Sequence, residues 1–457
     1  MVLVQASKLP LPSSPSLTTS ILFDPFSLSL ALMHSDSSIS LYPSISPTPS
    51  SLPSKPQTLI PPPSSSSSFL LLRDNQSSEP TVLFVVAAPY MGGAKILLKF
   101  YVLNKKKNVF TKAQASCSQK GIGFDPKLGV LLDVDHGVSI KIVGSVNFFS
   151  LYSVSSRKVW VFAVKLIGED GGSDSDAVKV KLMRCALIEC RVPVFSISVS
   201  FGFLILGEDG GVRVLNLKQL VKGKVNKARS SSSDGMADLN GKVDVQVSKL
   251  PNGVIGGLKL GGLNYGVASN GILNVKMEKQ NVSVKQRSVR RGKDSGEAGS
   301  CFVPFKSKDV VGLGSSTGKA VSIQALSPKK FMVLNSTGDL HILSLSIPGG
   351  GWNIVPDIRK MPYSMKVQKL AILPDISSRA QTVWVSDGLH SVHMMSVSDL
   401  DDAANKVGGD ANPEMSVHFS VLQVIFAAEK IQDLKPSAAN GVMILGHAGN
   451  AYTYAIP

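Results

Sequence analysis

The densest grouping of side chains that could do chemistry is Asp133-Val134-Asp135-His136-Gly137. On an extended strand Asp133 and Asp135 face the same way. Two carboxylates so placed could hold a divalent cation or share acid–base work, with His136 adjoining. The competing reading is a strand end running into an Asp-His-Gly turn. It is the stronger one, because no second set of ligands stands nearby in the sequence. Gly312-Leu313-Gly314-Ser315-Ser316-Thr317-Gly318-Lys319-Ala320 has the outline of a phosphate-cradling loop. It departs from that pattern at Leu313, where a glycine is needed, and at Ala320, where a magnesium-holding hydroxyl is needed. No helical period follows it, so a Gly-Ser turn before a strand is the better account.

The other reactive residues are scattered. His390 and His393 are three apart and, on a strand, point to opposite sides. His34, His341 and His447 fall in separate hairpins. Cys117, Cys185, Cys190 and Cys301 are too few and too scattered for a disulfide framework. The five-residue spacing of Cys185 and Cys190 argues against a shared metal. No Gly-x-Ser-x-Gly elbow and no paired Cys-His signature appears, and no motif asks for a cofactor.

Charge is the stronger signal. The chain has 48 Lys and Arg against 32 Asp and Glu, a formal net charge of +16. Lys218, Lys222, Lys224, Lys227 and Arg229 form one run without an acid. Lys285, Arg287, Arg290, Arg291 and Lys293 dominate a second, and Lys105-Lys106-Lys107 make a third. Such runs are either a solvated surface or a contact for polyanions, whose counterions each Lys or Arg displaces. Arg287–Lys293 also fits a short nuclear import signal. Few aromatic residues interleave these runs, so stacking on bases has no platform, and contact with a nucleic-acid backbone is the one mode they support. Ser295, just after Arg290-Arg291-Gly292-Lys293, is placed to be phosphorylated, which would cancel part of the local charge.

The elements that carry these residues follow one repeated phrase. A few apolar residues, a small-residue turn and an alternating strand recur with turns near positions 37, 92, 155, 209, 270, 338, 387 and 448. Phe203–Leu217 and Phe331–Leu345 are the clearest copies. Gly and Asn at the turns tolerate the positive φ that hairpins require. Further strands are expected upstream, as at Val194–Ser200, Val321–Pro328 and Ile431–Pro436, and downstream, as at Val178–Leu187. Four antiparallel strands per unit, repeated along the whole chain, read as propeller blades.

In this pattern the chain resembles the WD40-like β-propellers, although no Trp-Asp pair closes a third strand and the single Gly-His pair, Gly446-His447, sits in a turn. The expected fold is all-β: one β-propeller over residues 1–457, of seven to eight four-stranded blades. The Gly-rich hairpin at Leu263–Met277 is the weakest blade, and Leu131–Val143 competes with Phe148–Leu166 for another. The last hairpin leaves no residues for an outermost strand, so Val2–Ala6 is expected to supply it and close the ring. Three tracts, 43–68, 222–242 and 276–300, read as long disordered loops.

The sequence alone points to a non-enzymatic scaffold that docks protein partners. A nuclear or ribonucleoprotein setting is drawn from the basic loops. The alternative is a propeller enzyme with Asp133, Asp135 and His136 at the mouth of the channel. No apolar run is long enough to span a membrane. Scattered cysteines suit the nucleus or cytosol. The Ser- and Pro-rich start offers a plastid leader as the minority reading, against which it has no Arg before Arg73.

Overall fold

The computed structural model describes residues 5–9, 11, 16–45, 56–73, 79–119, 121–134, 139–167, 178–222, 242–247, 282–287, 300–305, 318–347, 354–373, 380–399 and 417–456. Its first strand, β1 (Gln5–Leu9), belongs to the last sheet. Blade one is β2 (Thr18–Asp24), β3 (Ser29–His34), β4 (Ile39–Tyr42) and β5 (Thr58–Ile60). Blade two is β6 (Ser66–Leu72), β7 (Thr81–Tyr90), β8 (Lys95–Asn104) and β9 (Val109–Ser116), with an added hairpin, β10 (Ile122–Asp125) and β11 (Gly129–Asp133). Blade three is β12 (Ile140–Gly144), β13 (Phe148–Ser153), β14 (Lys158–Ile167) and β15 (Lys179–Glu189).

Blade four begins with β16 (Ser196–Ser200), β17 (Phe203–Glu208) and β18 (Gly211–Asn216). An insertion follows with the short helix α1 (Leu217–Lys222) and the hairpin β19 (Lys242–Val247) and β20 (Val282–Arg287), before β21 (Ser300–Pro304) completes the blade. Blade five is β22 (Ala320–Ser327), β23 (Lys330–Asn335), β24 (Leu340–Ser346) and β25 (Val355–Lys360). Blade six is β26 (Lys369–Ile372), β27 (Ala380–Ser386), β28 (Ser391–Asp399) and β29 (Val417–Phe426). Blade seven is β30 (Ile431–Ala438), β31 (Gly441–Gly446) and β32 (Ala451–Ala455), with β1 outermost.

Successive inner strands pack on one another in a closed circuit, β2, β6, β12, β16, β22, β26, β30 and back to β2. The buried apolar residues divide accordingly into seven clusters, one at each junction between neighbouring blades. The period of two in the strands produces this division. In β17, Leu204 and Leu206 face blade three while Phe203 and Ile205 face blade five. In β23, Phe331 and Val333 face blade four while Met332 and Leu334 face blade six. Every blade is therefore apolar on both faces, and only a ring buries all of them. The circuit is a seven-bladed β-propeller.

The inner strands are also stitched by polar side chains. Asp433 Oδ2 accepts from Ser20 Oγ at 2.9 Å and from the Ile21 amide at 3.0 Å, joining blade seven to blade one. The hydroxyls of Ser66 and Ser68 accept from the Ile142 and Gly144 amides at 3.0 and 2.9 Å, joining blades two and three. Ser196 Oγ donates to the Ala320 carbonyl at 2.7 Å across blades four and five. Gly207 allows that approach, since a Cβ there would collide with the Ser196 hydroxyl and the Ala320 carbonyl. Gln324 Oε1 accepts from the Ile372 amide at 2.8 Å across blades five and six. Backbone groups on the inner edges would otherwise lack partners.

Four expectations are resolved in detail. The count is seven: the circuit closes without the hairpin at Leu263–Met277, which lies outside the described residues. Leu131–Val143 is not one hairpin, because Leu131–Asp133 ends β11 and Ile140–Val143 belongs to β12 of the next blade. The closing strand is described over Gln5–Leu9, paired antiparallel with Ala451–Ala455; it includes Gln5 and Ala6 of the expected Val2–Ala6 and runs on to Leu9, while Val2–Val4 lie outside the described residues. Its anchor is Leu9, buried with Met443 and Leu445 of blade seven and Leu30 and Leu32 of blade one. The tract 43–68 holds β5 and the start of β6, and strand β20 lies inside 276–300.

Candidate interaction surface

Each blade runs down, up, down and up, so the turn between its second and third strands lies at the same end of the ring as the connection into the next blade. At this end the two kinds of segment are bonded to one another. The amides of Ser35, Gly210, Ser336, Val367, Ile431 and His447 donate to the carbonyls of Leu17, Gly318, Lys319, Gly338, Leu389 and Lys430 respectively, at 2.8–3.2 Å.

Polar side chains fix the turns from within, as short Asp, Asn and Ser side chains do when they bond to backbone two residues on. Asp36 accepts from the Ser38 amide and hydroxyl at 2.9 and 2.7 Å, and from Ser16 of the incoming connection at 2.7 Å. These bonds, chiefly those from Ser38, hold its carboxyl down at about 2. Asn335 Oδ1 gathers the Thr337 amide, the Thr337 hydroxyl and the Asp339 amide at 2.7–3.1 Å, around Gly338 at φ +83°. Asp339 pairs with Lys366 at 2.7 Å and Lys360 at 2.9 Å. Burial alone would raise this carboxyl, but Lys366, Lys360 and Thr337 hold it well below the usual carboxylate range. Glu429 accepts from Asn450, from the Tyr452 hydroxyl at 3.0 Å and from the Ala448 amide at 3.1 Å.

The histidines serve the same framework. His34 is buried between Thr18 and Ser40, its ring nitrogens 3.4 and 2.9 Å from their hydroxyls. His341 is buried against Phe305, ring centroids 4.3 Å apart, and burial pushes its imidazole down to about 4. His393 meets the Tyr363 hydroxyl at 2.8 Å. His390 is not on the strand with His393 but in the turn before it, facing the Ala427 carbonyl at 3.2 Å. From these bonded turns, exposed apolar side chains project at one end of the ring: Leu17, Met91, Val154, Val192 and Leu389.

The other end carries two short lysine runs and the exit of the longest insertion. Lys105, Lys106 and Lys107 occupy the turn between β8 and β9, while Lys329 lies in the turn before β23 and Lys330 begins that strand. Lys105 pairs with Glu79 at 2.6 Å and lies 5.6 Å from the exposed ring of Phe26. The segment bearing the two long basic runs leaves β18 and returns to β21 at this end. Lys218 sits in α1, its amide bonded to Asn216 at 3.0 Å. Lys222 ends that helix, and Lys285 and Arg287 lie on β20, which pairs with β19 at the rim of blade three. Lys224, Lys227, Arg229, Arg290, Arg291, Lys293 and Ser295 lie outside the described residues.

Asp133 does not face the channel. It ends β11, which pairs with β8, and β8 is already two strands outward from the inner strand β6. Its carboxylate is 72% exposed and pairs with Lys95 at 3.3 Å. Asp135 and His136 lie outside the described residues. Lys319, from the loop with a phosphate-cradle outline, leads directly into strand β22 and packs its ammonium 4.9 Å from the Phe195 ring. Cys185 ends up buried with its thiol pushed up to about 12 by burial, and Cys190 follows just beyond the strand. Among the described residues no three His, Cys, Asp or Glu side chains converge on a metal-sized site, and no helix is long and apolar enough to cross a membrane. Sequence reasoning missed the bonded turns at Asn335–Asp339 and Glu429–Tyr452. The Asn-Ser-Thr-Gly-Asp run was the one available signal for the first.

No family model and no curated protein matches the chain. Among solved structures it is similar to the β-propeller domain of Myceliophteria thermophila Cps50 (Swd1), at 7% identity and a TM-score of 0.46, covering 99% of this chain and 100% of that one. It is likewise similar to Sqt1 from Chaetomium thermophilum, at 10% identity and a TM-score of 0.46, covering 99% and 98%. The WD40 repeats of RRP9 align over 99% of this chain and 97% of theirs, at 9% identity and a TM-score of 0.43. What establishes the propeller is the closed circuit of seven sheets and seven interfacial cores.

Proposed function

We propose that this chain is a non-enzymatic scaffold that docks protein partners on the end of the ring where the turns are bonded to one another. One observation carries the reading: exposed Leu17, Met91, Val154, Val192 and Leu389 stand on turns already fixed by hydrogen bonds. A surface ordered before binding loses little entropy on docking, and exposed apolar side chains supply the area to bury. Asp36, Asp339 and Glu429 of this end are committed to turn and blade contacts. That supports recognition over catalysis, and the exposed Lys95–Asp133 pair on an outer strand supports it further. The opposite end, with Lys105–Lys107, Lys329 and Lys330, extends the proposal to a polyanionic partner, nucleic acid included, in a nuclear or cytosolic assembly.

The test is quantitative recovery of partners by the tagged chain from its native source. Met91→Asp with Leu389→Asp should remove the salt-resistant partners and leave salt-sensitive ones. Charge reversal of Lys105, Lys106 and Lys107 should do the opposite. Salt-resistant recovery that survives Met91→Asp with Leu389→Asp would sink the reading.

A further inference from the structure

The outermost strands of the blades present backbone N–H and C=O groups to any strand that can reach them, and proteins blunt such edges with charge, proline, brevity or cover. Six of the seven outer edges here are blunted. β5 has three residues, and β21 is short and carries Pro304. Strand β25 carries Pro356, Asp357, Arg359 and Lys360, and β1 carries Lys8. In blades two and three the chain covers its own edges: β9 pairs in parallel with β15 at Lys179–Lys181, and β19 pairs with β15 at Ala186–Ile188.

Strand β29 of blade six is the exception. It is ten residues long, has no proline and no Asp, Glu, Lys or Arg, and among the described residues pairs with β28 alone. A bulge opposite Met394 and Met395 turns the successive side chains of Val421 and Leu422 outward. Val421 is 49% exposed, Leu422 54% and Phe426 75%, the last the most exposed large apolar side chain described.

The charge distribution bears on what can cover this edge. Two copies of a chain with a net charge of +16 repel one another, so they can approach only through a sector free of positive charge. Blade six offers that sector. Its strands β27, β28 and β29 contain no Lys or Arg, and Asp399 is their one formally charged residue. An antiparallel pairing of β29 with its own copy about a two-fold axis sets apolar residues against apolar residues, with no like charges opposed.

We infer that β29 is a self-association edge: a second copy of this chain pairs with it antiparallel over Leu422–Phe426, with Leu422 of each copy buried against Phe426 of the other. This goes beyond the docking reading above and uses a different surface.

The experiment is sedimentation of the full chain over a broad concentration range, at low and raised salt. A dimer is expected that tightens as salt screens the mutual repulsion. Leu422→Lys with Phe426→Lys should raise its dissociation constant at least about tenfold, whereas Val355→Lys on β25 should leave it unchanged. Thermal unfolding of these variants reports whether they fold, since all three replaced side chains are exposed. Hydrogen exchange of the unsubstituted chain supplies a second readout: the Leu422–Phe426 amides should gain protection as concentration rises. A monomer at every concentration, a dimer indifferent to Leu422→Lys with Phe426→Lys, or edge protection conferred on a monomer by an unrelated peptide would each overturn the inference.

Discussion

The two ends of this ring are built from the same strands yet behave as different materials. At one end turns and connections are tied to one another by backbone hydrogen bonds, as at Ser35–Leu17, Ser336–Lys319, Val367–Gly338 and His447–Lys430, and Asp36, Asn335, Asp339 and Glu429 fix the turns further. At the other end the second pair of strands in each blade is joined by whatever length of chain the sequence supplies, from the four-residue turn at Lys105–Asn108 to the insertion between β18 and β21. Loop-closure entropy grows slowly with length, so such insertions cost the ring little. A propeller can therefore keep one end rigid for recognition and let charge accumulate at the other.

This contrast can be broken in three places, taken from the largest effect to the smallest. The first is pH. Folded His341 has its pKa lowered to about 4 by burial, against 6.5 for the free side chain. Its contribution is present above pH 6.5 and is lost as pH falls from there toward 4, because the unfolded chain binds a proton that the folded one refuses. Acid titration of unfolding stability should show a loss of roughly 3 kcal/mol across that window, and His341→Phe should flatten it. The second is Asn335→Ala, which unpairs the Thr337 and Asp339 amides and should cost about 1–3 kcal/mol in denaturant unfolding. The third is Lys106→Glu at the opposite end, which should leave stability within about 0.5 kcal/mol while altering the salt dependence of any polyanion contact. If Lys106→Glu destabilised as much as Asn335→Ala, the distinction between the ends would fail.

The architecture was legible because its signal is local. Alternating apolar strands around Gly- and Asn-bearing turns locate the blade hairpins. The errors arose where the signal was short or shared. β5 has three residues in a Pro- and Ser-rich tract, too few for a period to show. Strand β8 serves two neighbours on one edge, β11 through Lys95–Leu98 and β9 through Phe100–Asn104, so blade two carries an extra hairpin that blurs the count. Val2-Leu3-Val4 drew the closing strand toward themselves by hydrophobicity, whereas the register is set by Leu9, the residue that reaches the core. The site was less legible. Asp133 and its neighbours looked chemical in sequence, and only the pairing of β11 outside β8 shows that Asp133 faces outward to Lys95. Likewise, the edge of β29 looks like any buried strand until Val421, Leu422 and Phe426 are seen exposed and its outer side unpaired among the described residues.

Closure of the ring by β1 underlies every part of this account. Ser7 lies opposite Thr453 in the antiparallel register of β1 and β32, a separation that suits a disulfide. A chain carrying Ser7→Cys and Thr453→Cys should form that one intramolecular bond on mild oxidation, identifiable by peptide mapping, and its thermal midpoint should rise. Failure of the two cysteines to join, or pairing only between different molecules, would contradict a propeller of seven blades fastened by its amino-terminal strand.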